Sequence, residues 1–286
     1  MTSSTAKRAT PQTYVARSTL RFIILAVALV IVLFPLALMF VSALKSQGEI
    51  FSNPFGLPAQ ADWTNFARAW NIGGIADRAT NSAIVTIVSV LISTVFGAGA
   101  GYVCARIRPR SIGNALTILF AFGLFIPVQA ALVPLFTEMQ SLGLLGTLAP
   151  IILVDSAMQL PLSVVIFAAF FSALPLEIEE SASVDGASRI RVLRSIVIPL
   201  ARPAIATSVI LGAVAVWNDY FVALIFSTDP SIQTLPVGLA AFKSNFATDW
   251  PGSLAYSAII ALPVFVLYIA LQRYITDGVT AGAVRG

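Results

Sequence analysis

The stretch Phe22–Leu44 decides the architecture of the chain, and it reads FIILAVALVIVLFPLALMFVSAL. A helix needs about 20 apolar residues to cross the hydrocarbon core of a bilayer, and this run reaches that length without a charged side chain. It is longer than the apolar region of a typical secretory signal peptide, and no clear small-residue cleavage site follows it. We therefore expect a retained membrane helix that is kinked at Pro35.

Further apolar segments follow, and together with the first they predict an all-α integral membrane protein with six transmembrane helices. They lack the strict alternation of a transmembrane β-barrel, and a single charged residue, Asp219, interrupts the fifth. The predicted spans cover residues 20–43, 80–104, 112–136, 150–174, 204–226 and 253–272.

The composition excludes several classes of protein. Of the 286 residues 58% are hydrophobic and only 10% are charged, whereas a soluble domain carries about 25% charged residues. The chain has no histidine and one cysteine, Cys104, which excludes Ser-His-Asp and Cys-His catalysis, histidine metal sites and cysteine clusters. No lysine lies in a GxxxxGK[ST] loop. We expect no catalytic residue and no metal site, and any ATP must be bound by another chain.

The distribution of basic residues predicts the orientation in the membrane. Most of the 17 lysines and arginines lie in the N-terminal tail, in the loops at 105–111 and 175–203, and in the C-terminal tail. Because basic loops stay in the cytoplasm, both termini are expected there, which agrees with an even number of spans. The net charge of +4 therefore reports topology, and no cluster of aromatic and basic residues indicates a nucleic-acid surface.

The first external segment contains two local signals. A proline- and glycine-containing turn region lies at 53–58, and a short helix is expected at Asp62–Trp70. Trp63, Phe66 and Trp70 recur there at helical spacing, as they would in an amphipathic helix at the membrane surface.

The loop after the fourth span, residues 174–199, reads LPLEIEESASVDGASRIRVLRSIVIP. Pro175 and the glutamates that follow favour the start of a helix, Asp185-Gly186 is a stop signal, and Pro199 is expected to end a second short helix. Such a helix-turn-helix on the inner face of the membrane suits a soluble partner. An ordinary interfacial loop, with its basic residues near lipid headgroups, is equally compatible with the pattern.

This loop resembles the EAA loop of ATP-binding-cassette (ABC) importer permeases, whose pattern is E-A-A-x3-G-x9-I-x-L-P. The spacing agrees throughout, with Ser181 replacing the first alanine and Ile198 replacing the leucine. Asp185-Gly186-Ala187 is similar to the carbohydrate-importer form. Other motifs of the family occur in order: Asn81-Ser82, Pro127 and Pro134, Trp217-Asn218-Asp219-Tyr220, 234–239 (TLPVGL) and 278–286 (GVTAGAVRG).

The resemblance covers nearly the whole chain and implies the type I permease fold of ABC importers, most similar to the second membrane subunit of the maltose transporter. It divides the chain into a cytoplasmic tail (1–20), a first helix with an external segment (21–75), a permease domain (76–272) with the EAA loop at 175–200, and a C-terminal cytoplasmic tail (273–286).

The resemblance also implies two sets of residues that contact a separate ATPase. The coupling loop would act through Glu177, Glu180, Ser181, Ala182, Asp185, Gly186, Ala187, Ile196 and Pro199. The C-terminal tail would reach the ATPase dimer with Gly278, Thr280, Gly282 and Gly286. A solvated acid at Glu180 and a frayed polar terminus are the alternatives.

A translocation path is expected where polar groups interrupt the apolar helices, because an intramembrane acid is costly and is a functional candidate by default. Trp217 or Tyr220 could stack on a sugar face, while Asn218 and Asp219 could instead bond neighbouring helices. The candidates are Gln129, Asp155, Gln159, Trp217, Asn218, Asp219 and Tyr220.

The function implied by the resemblance is that of a multi-pass permease subunit in the bacterial cytoplasmic membrane. It would carry sugar by alternating access, with a second homologous permease, two ATPase copies that hold ATP and Mg²⁺, and an extracytoplasmic solute-binding protein. An ion-coupled secondary transporter or channel is the alternative, although no internal repeat is visible. A membrane-embedded enzyme would need clustered catalytic groups that the composition does not favour.

Overall fold

The structure is a computed structural model that describes residues 11–244 and 247–283, and it is all-α over that part of the chain. Within the described residues, β-structure is limited to one isolated antiparallel bridge between Lys243 and Thr248. The first seven helices are α1 (Pro11–Ala43), α2 (Gln47–Ser52), α3 (Thr64–Ile72), α4 (Ile75–Arg106), α5 (Arg110–Gly123), α6 (Val128–Ser141) and α7 (Ala149–Ala173). The others are α8 (Glu177–Val184), α9 (Arg189–Val192), α10 (Ile198–Leu200), α11 (Arg202–Trp217), α12 (Phe221–Phe226), α13 (Leu235–Gly238) and α14 (Trp250–Ala283).

Three of these helices are long and apolar enough to cross a membrane: Arg21–Ala43 of α1, all of α4 and all of α7. Two bent pairs each pass the same test together, so the described residues hold up to five candidate spans. The apolar part of α14, Trp250–Val266, is shorter. The predicted spans at 20–43, 80–104 and 150–174 agree closely with α1, α4 and α7.

The third and fifth predicted spans are not single straight helices, and the observed helix ends differ from the predicted ones. The third divides into α5 and α6, which meet at 87°, because Pro127 has no N–H to continue the helix and lies at the start of α6. The fifth predicted span breaks after Trp217, and its last part is the separate helix α12. The helix α11 also meets the preceding segment Arg189–Leu200 at 67°.

The described chain forms two compact units. The first unit contains the residues up to Ala69 together with Phe242–Ile259. Its polar centre is Asn65, which is buried and donates from Nδ2 to the carbonyl oxygens of Ala43 at 2.9 Å and Lys45 at 3.0 Å. These bonds satisfy carbonyls at the end of α1 that have no partner within the helix.

The second unit contains Trp70–Ala241 and the residues from Ile260 onward, and the contact between α4 and α7 lies at its centre. Gly97 and Gly101 of α4 face α7 so closely that an added Cβ would lie 2.4 Å from Ser163 Cβ and 2.6 Å from Phe167 Cβ. Small residues allow membrane helices to approach in this way. The hydroxyl of Ser208 in α11 joins the contact, 2.9 Å from that of Ser163.

At the other end of α4, two of the sequence motifs meet. Asn81 donates from Nδ2 to the carbonyl oxygens of Ser231 at 2.8 Å and Gln233 at 2.9 Å. The hydroxyl of Ser82 accepts from the Leu235 amide at 2.8 Å. The Asn-Ser pair therefore fixes the TLPVGL loop on the end of α4, which gives this pair of motifs a structural role.

Gly101→Ala is expected to destabilise the second unit, because its methyl group would also lie 2.8 Å from the backbone nitrogen of Ala168. Overpacking of this kind costs about 1–3 kcal/mol. Gly99→Ala in the same helix is the control, since no atom lies within 4 Å of the added Cβ. We expect Gly101→Ala to lower the thermal unfolding midpoint in detergent and Gly99→Ala to leave it unchanged or slightly higher. Equal midpoints would contradict the close packing.

Candidate coupling surface and translocation path

The helix α8 begins and ends as its sequence dictates. Its first turn holds Glu177, Glu179 and Glu180, which the positive end of the helix dipole favours. At its other end the Gly186 amide donates to Ser183 at 3.1 Å and the Ala187 amide donates to Ala182 at 3.0 Å. This is a Schellman motif, and it requires the left-handed φ of +82° that Gly186 adopts.

The second half of the loop departs from the expectation that Pro199 ends its helix. Ser188 caps α9 by accepting from the Arg191 amide at 3.4 Å, and a π-helical turn, Leu193–Val197, then leads into α10. Pro199 is the second residue of α10, and the helix ends after Leu200. A π-helical turn shifts the backbone hydrogen-bond pattern by one residue, and the chain continues through the proline after it.

Two adjacent glutamates of α8 have opposite environments. Glu180 is exposed, whereas Glu179 is 8% exposed and buried. The Glu179 carboxylate accepts from Arg106 Nη2 at 2.5 Å, from Arg106 Nε at 2.8 Å and from the Tyr102 hydroxyl at 2.5 Å. We call the set of Tyr102, Arg106 and Glu179 the inner anchor.

The inner anchor connects α8 to two long helices. Tyr102 and Arg106 belong to the last turns of α4. The Arg106 guanidinium also donates to the carbonyl oxygens of Phe171 at 2.9 Å and Leu174 at 3.4 Å, at the end of α7. Because an ion pair with so many bonds is geometrically specific, the position of α8 is fixed relative to the ends of α4 and α7.

The predicted coupling residues occupy both faces of the loop. The exposed ones are Glu177, Glu180, Ser181, Asp185 and Gly186, and the half-buried ones are Ala182, Ala187, Ile196 and Pro199. Ala182 and Ala187 pack against the cluster of buried residues that includes Val192 and Val197. Val184 lies among the exposed residues with 88% of its surface accessible, so the outer face combines carboxylates with an apolar side chain.

Sequence reasoning missed the inner anchor. Arg106 contributes to the predicted topology through the basic loop at 105–111, and helix propensity does not distinguish Glu179 from the glutamates beside it. A signal was present: at about 100° per residue, Glu177 and Glu180 share one side of a helix, whereas Glu179 points away from Glu177 toward a side that can pack against the membrane domain. A buried carboxylate then requires a cationic partner, and the nearest basic loop contains Arg106.

The predicted path residues differ in burial and in hydrogen bonding. Asp155 in α7 is 5% exposed, and its Oδ2 has no hydrogen-bond partner among the described residues. Asp219 accepts from the Ala223 amide at 3.0 Å and so caps α12. Asn218 bonds the Val214 carbonyl of its own helix at 2.7 Å rather than a neighbouring helix. Gln129, Asn218 and Tyr220 are exposed, while Gln159, Trp217 and Asp219 are half-buried.

An apolar groove of about 880 Å³ runs along α4 and α11 in the second unit. Thr86 and Thr94 contribute hydroxyl groups to its lining, and Trp217 is the predicted path residue that lines it. The Trp217 ring nitrogen donates to the Ile260 carbonyl at 3.5 Å. With so few polar groups, the groove does not have the donors and acceptors with which a sugar site fixes its ligand.

Among the described residues, no three histidine, cysteine, aspartate or glutamate side chains come together as a metal site. The described acids of the loop serve the inner anchor or face solvent.

Comparison with known proteins identifies relatives over most of the chain. The family described as binding-protein-dependent transport system inner membrane component matches residues 97–281. The probable ABC transporter permease protein YurM of Bacillus subtilis is 34% identical over 90% of this chain and 85% of its own length. The melibiose/raffinose/stachyose import permease protein MelC of the same species is 33% identical over 88% of this chain and 91% of its own.

The fold also matches a solved structure. A chain of a bacterial ABC transporter involved in the import of the acidic polysaccharide alginate superimposes with a TM-score of 0.76, covering 94% of this chain and 99% of the other. The two sequences are 23% identical, so this likeness is one of fold.

Glu179→Gln is expected to destabilise the chain, because it leaves the Arg106 charge without its carboxylate in a site where both side chains are largely buried. Breaking a buried ion pair costs about 3–5 kcal/mol, which should appear as a lower unfolding midpoint in detergent. The adjacent Glu180→Gln is the control and should leave the midpoint unchanged. The double variant Arg106→Met/Glu179→Leu should recover only the part of the loss that the unpaired charge causes, because the carbonyls of Phe171 and Leu174 lose their donor. A Glu179→Gln variant as stable as the control would contradict the anchor.

Proposed function

The chain belongs to the family of binding-protein-dependent transport system inner membrane components, and we propose that it is the permease subunit of an ATP-driven carbohydrate importer. It is a transport component with several apolar helices. The observation that supports the proposal most strongly is the arrangement of α8, which presents Glu180 outward and holds Glu179 inward. An element built in this way can receive a force on one face and transmit it through the other.

We infer that the outer face of α8 docks in a groove of a separate ATPase subunit. Glu180 would accept charge-assisted hydrogen bonds from a basic side chain of that subunit, and Val184 would fill an apolar part of the groove. Gly186 would keep the turn tight enough for the loop to enter. ATP and Mg²⁺ would be bound by that partner and not by this chain.

The inner anchor would transmit a movement of α8 to the membrane helices. When ATP closes the ATPase dimer, displacement of α8 would be passed through Glu179 to Arg106, and from Arg106 to the ends of both α4 and α7. Since these helices pack closely at Gly97 and Gly101, they would move together. Alternating access would then follow from a movement of packed helices, with hydrolysis of ATP resetting the arrangement.

The proposed topology has six spans with both termini in the cytoplasm. Five candidates are α1, α4, α7, the bent pair of α5 and α6, and the bent pair of Arg189–Leu200 and α11. The sixth is the apolar part of α14. The C-terminal tail is proposed to reach the ATPase. Gly278, Thr280 and Gly282 lie in the last part of α14, while Gly286 lies outside the described residues.

A carbohydrate is the proposed substrate class because MelC is a melibiose/raffinose/stachyose import permease. The transporter whose structure matches this fold is likewise involved in the import of alginate. The path candidates on the surface would be completed by a second homologous permease, since Gln129 and Tyr220 are exposed in this chain. A solute-binding protein on the external side would deliver the sugar. The ion-coupled alternative receives no support from these relatives.

The partners are tested by purifying the tagged full-length chain in mild detergent and identifying whatever co-purifies by mass spectrometry. An ATPase subunit and a second permease, accompanied by sugar uptake that requires ATP after reconstitution, are the expected result. A chain that purifies only with itself and supports ion-driven uptake would refute the proposal.

Gly186→Leu is expected to leave the chain in the membrane but to uncouple ATP hydrolysis from uptake. The φ of +82° at this position costs an ordinary residue about 1–2 kcal/mol, so the turn after α8 would rearrange. Gly186→Asn is the control, because asparagine tolerates this conformation and should retain most uptake. Uptake per ATP hydrolysed is the measurement, and normal coupling in the leucine variant would count against the docking role of the loop.

Asp219→Ala is expected to reduce uptake, because it removes the cap of α12 at the break in the fifth predicted span. Losing such a cap costs about 1 kcal/mol. Asp219→Asn separates capping from charge, since an asparagine oxygen can accept from the Ala223 amide in the same way. If the asparagine variant transports normally and the alanine variant does not, the role is capping. Normal uptake and complex yield in both variants would remove Asp219 from the path.

A further inference from the structure

An apolar loop of the first unit, residues 51–58, presents large hydrophobic side chains to its surroundings. Phe51 is 66% exposed, Phe55 is 74% exposed and Leu57 is 77% exposed. The sequence from Ile50 to Ala61 contains no charged residue. Exposed apolar groups that are contiguous in this way mark an interaction surface.

The apolar loop is held in a defined shape from behind. Lys45 is fully buried, and its Nζ donates to the carbonyl oxygens of Asn53 at 2.8 Å and Pro54 at 3.1 Å. The Asn53 side chain accepts from the Gly56 amide at 3.1 Å, which closes a turn under Phe55. The hydrophobic side chains are therefore displayed by a built turn and not by a loose segment.

The backbone of the apolar loop exposes few unpaired donors. Pro54 and Pro58 have no N–H group, and the Asn53 amide donates to the Glu49 carbonyl at 2.9 Å. Just beyond the loop, the Ala59 amide donates to Glu49 Oε1 at 2.6 Å. Unpaired backbone groups keep irregular loops out of an apolar medium, and these features reduce the number of unpaired donors in the apolar loop.

The contact between Phe55 and α1 sets the depth expected for the apolar loop if α1 crosses the membrane. The ring of Phe55 stacks on that of Phe34 in α1, with centroids 6.4 Å apart and planes inclined by 25°. Phe34 lies nine residues before Ala43, the end of the candidate span Arg21–Ala43, which is about 13 Å along a helix. Since the hydrocarbon core is about 30 Å thick, a ring that touches Phe34 lies within it.

We propose that the apolar loop inserts into one leaflet of the membrane and that Phe51, Phe55 and Leu57 contact lipid acyl chains. The leaflet is the one that the C-terminal end of α1 enters, which is the outer leaflet in the proposed topology. The inference requires only that α1 crosses the membrane, and it assigns a lipid-contact site that the transport function does not use.

Lipid is favoured over a second protein because the apolar loop continues the surface of α1. From Phe22 to Phe34, every large apolar side chain of α1 is at least half exposed. The stacked rings join this surface to the loop without a polar boundary. Protein interfaces of comparable size carry a polar rim with hydrogen bonds, whereas the acids that flank the loop are used internally: Glu49 bonds Ala59, and Asp62 accepts from the Thr64 amide at 3.0 Å.

The test places a spin label at single sites in the full-length chain, reconstituted in lipid nanodiscs with its co-purifying subunits. Cys104 is buried and is first replaced, as Cys104→Ala. Phe55→Cys and Leu57→Cys report on the loop, and Gln60→Cys and Gly48→Cys are controls at exposed positions outside it. At each site, the rate at which the spin label collides with oxygen, which concentrates in the bilayer, is compared with its rate of collision with a water-soluble nickel chelate.

We expect oxygen to dominate at positions 55 and 57 and the nickel chelate to dominate at positions 48 and 60. Nickel access at 55 and 57 equal to that at the controls would place the loop in water and overturn the proposal. Protection at 55 and 57 from both reagents would also overturn it, because a protein such as a second permease would then cover the loop.

A second measurement guards against damage by the cysteine substitutions. Phe55→Trp retains a large ring, and its added fluorescence should be quenched by lipids brominated in the acyl chains. Gln60→Trp is its matched control and should gain fluorescence that these lipids do not quench. Equal quenching of the two added tryptophans would refute the insertion, even if the labelled cysteine variants failed to fold.

Discussion

The ion pair between Arg106 and Glu179 is the constraint on which the cytoplasmic side of the second unit depends. One guanidinium satisfies a carboxylate of α8 and two carbonyls at the end of α7, while its own residue ends α4. A charge that is largely removed from water is tolerated only when such partners compensate it. Three elements therefore have to keep their relative positions, and α8 cannot shift alone without leaving Arg106 unpaired.

In the proposed function, this constraint would allow a short helix to act on a large membrane domain. An eight-residue helix has little stability of its own, so an isolated α8 would fray under an applied force. Its inward face is tied by Glu179 and packed through Ala182, whereas its end is fixed by the turn at Gly186. The outward face takes no part in the inner anchor. Glu180 is therefore available to contact another subunit in the proposed function.

The positions of helices can be predicted accurately from the sequence where a single physical effect determines them. The run around α7 was placed within about one residue, because apolar length alone defines a membrane helix. The break between α5 and α6 was signalled by Pro127, but its 87° angle depends on packing that no local pattern contains. The burial of Glu179 was missed for the same kind of reason: adjacent glutamates have equal propensities, and only the placement of α8 against α4 and α7 distinguishes them.

The polar residues within the candidate spans divide into those that hold helices together and those left for another purpose. Ser163 and Ser208 bond each other, and Asp219 and Asn218 bond the backbone beside the break after α11, so the chain itself accounts for them. Asp155 is different, since one carboxylate oxygen remains without a partner among the described residues although burying it is expensive. Among the acids of the predicted path, Asp155 therefore has a carboxylate oxygen that hydrogen bonds within the described residues do not account for. We therefore propose Asp155, before the residues of the fifth predicted span, as the acid that lines a path through this chain.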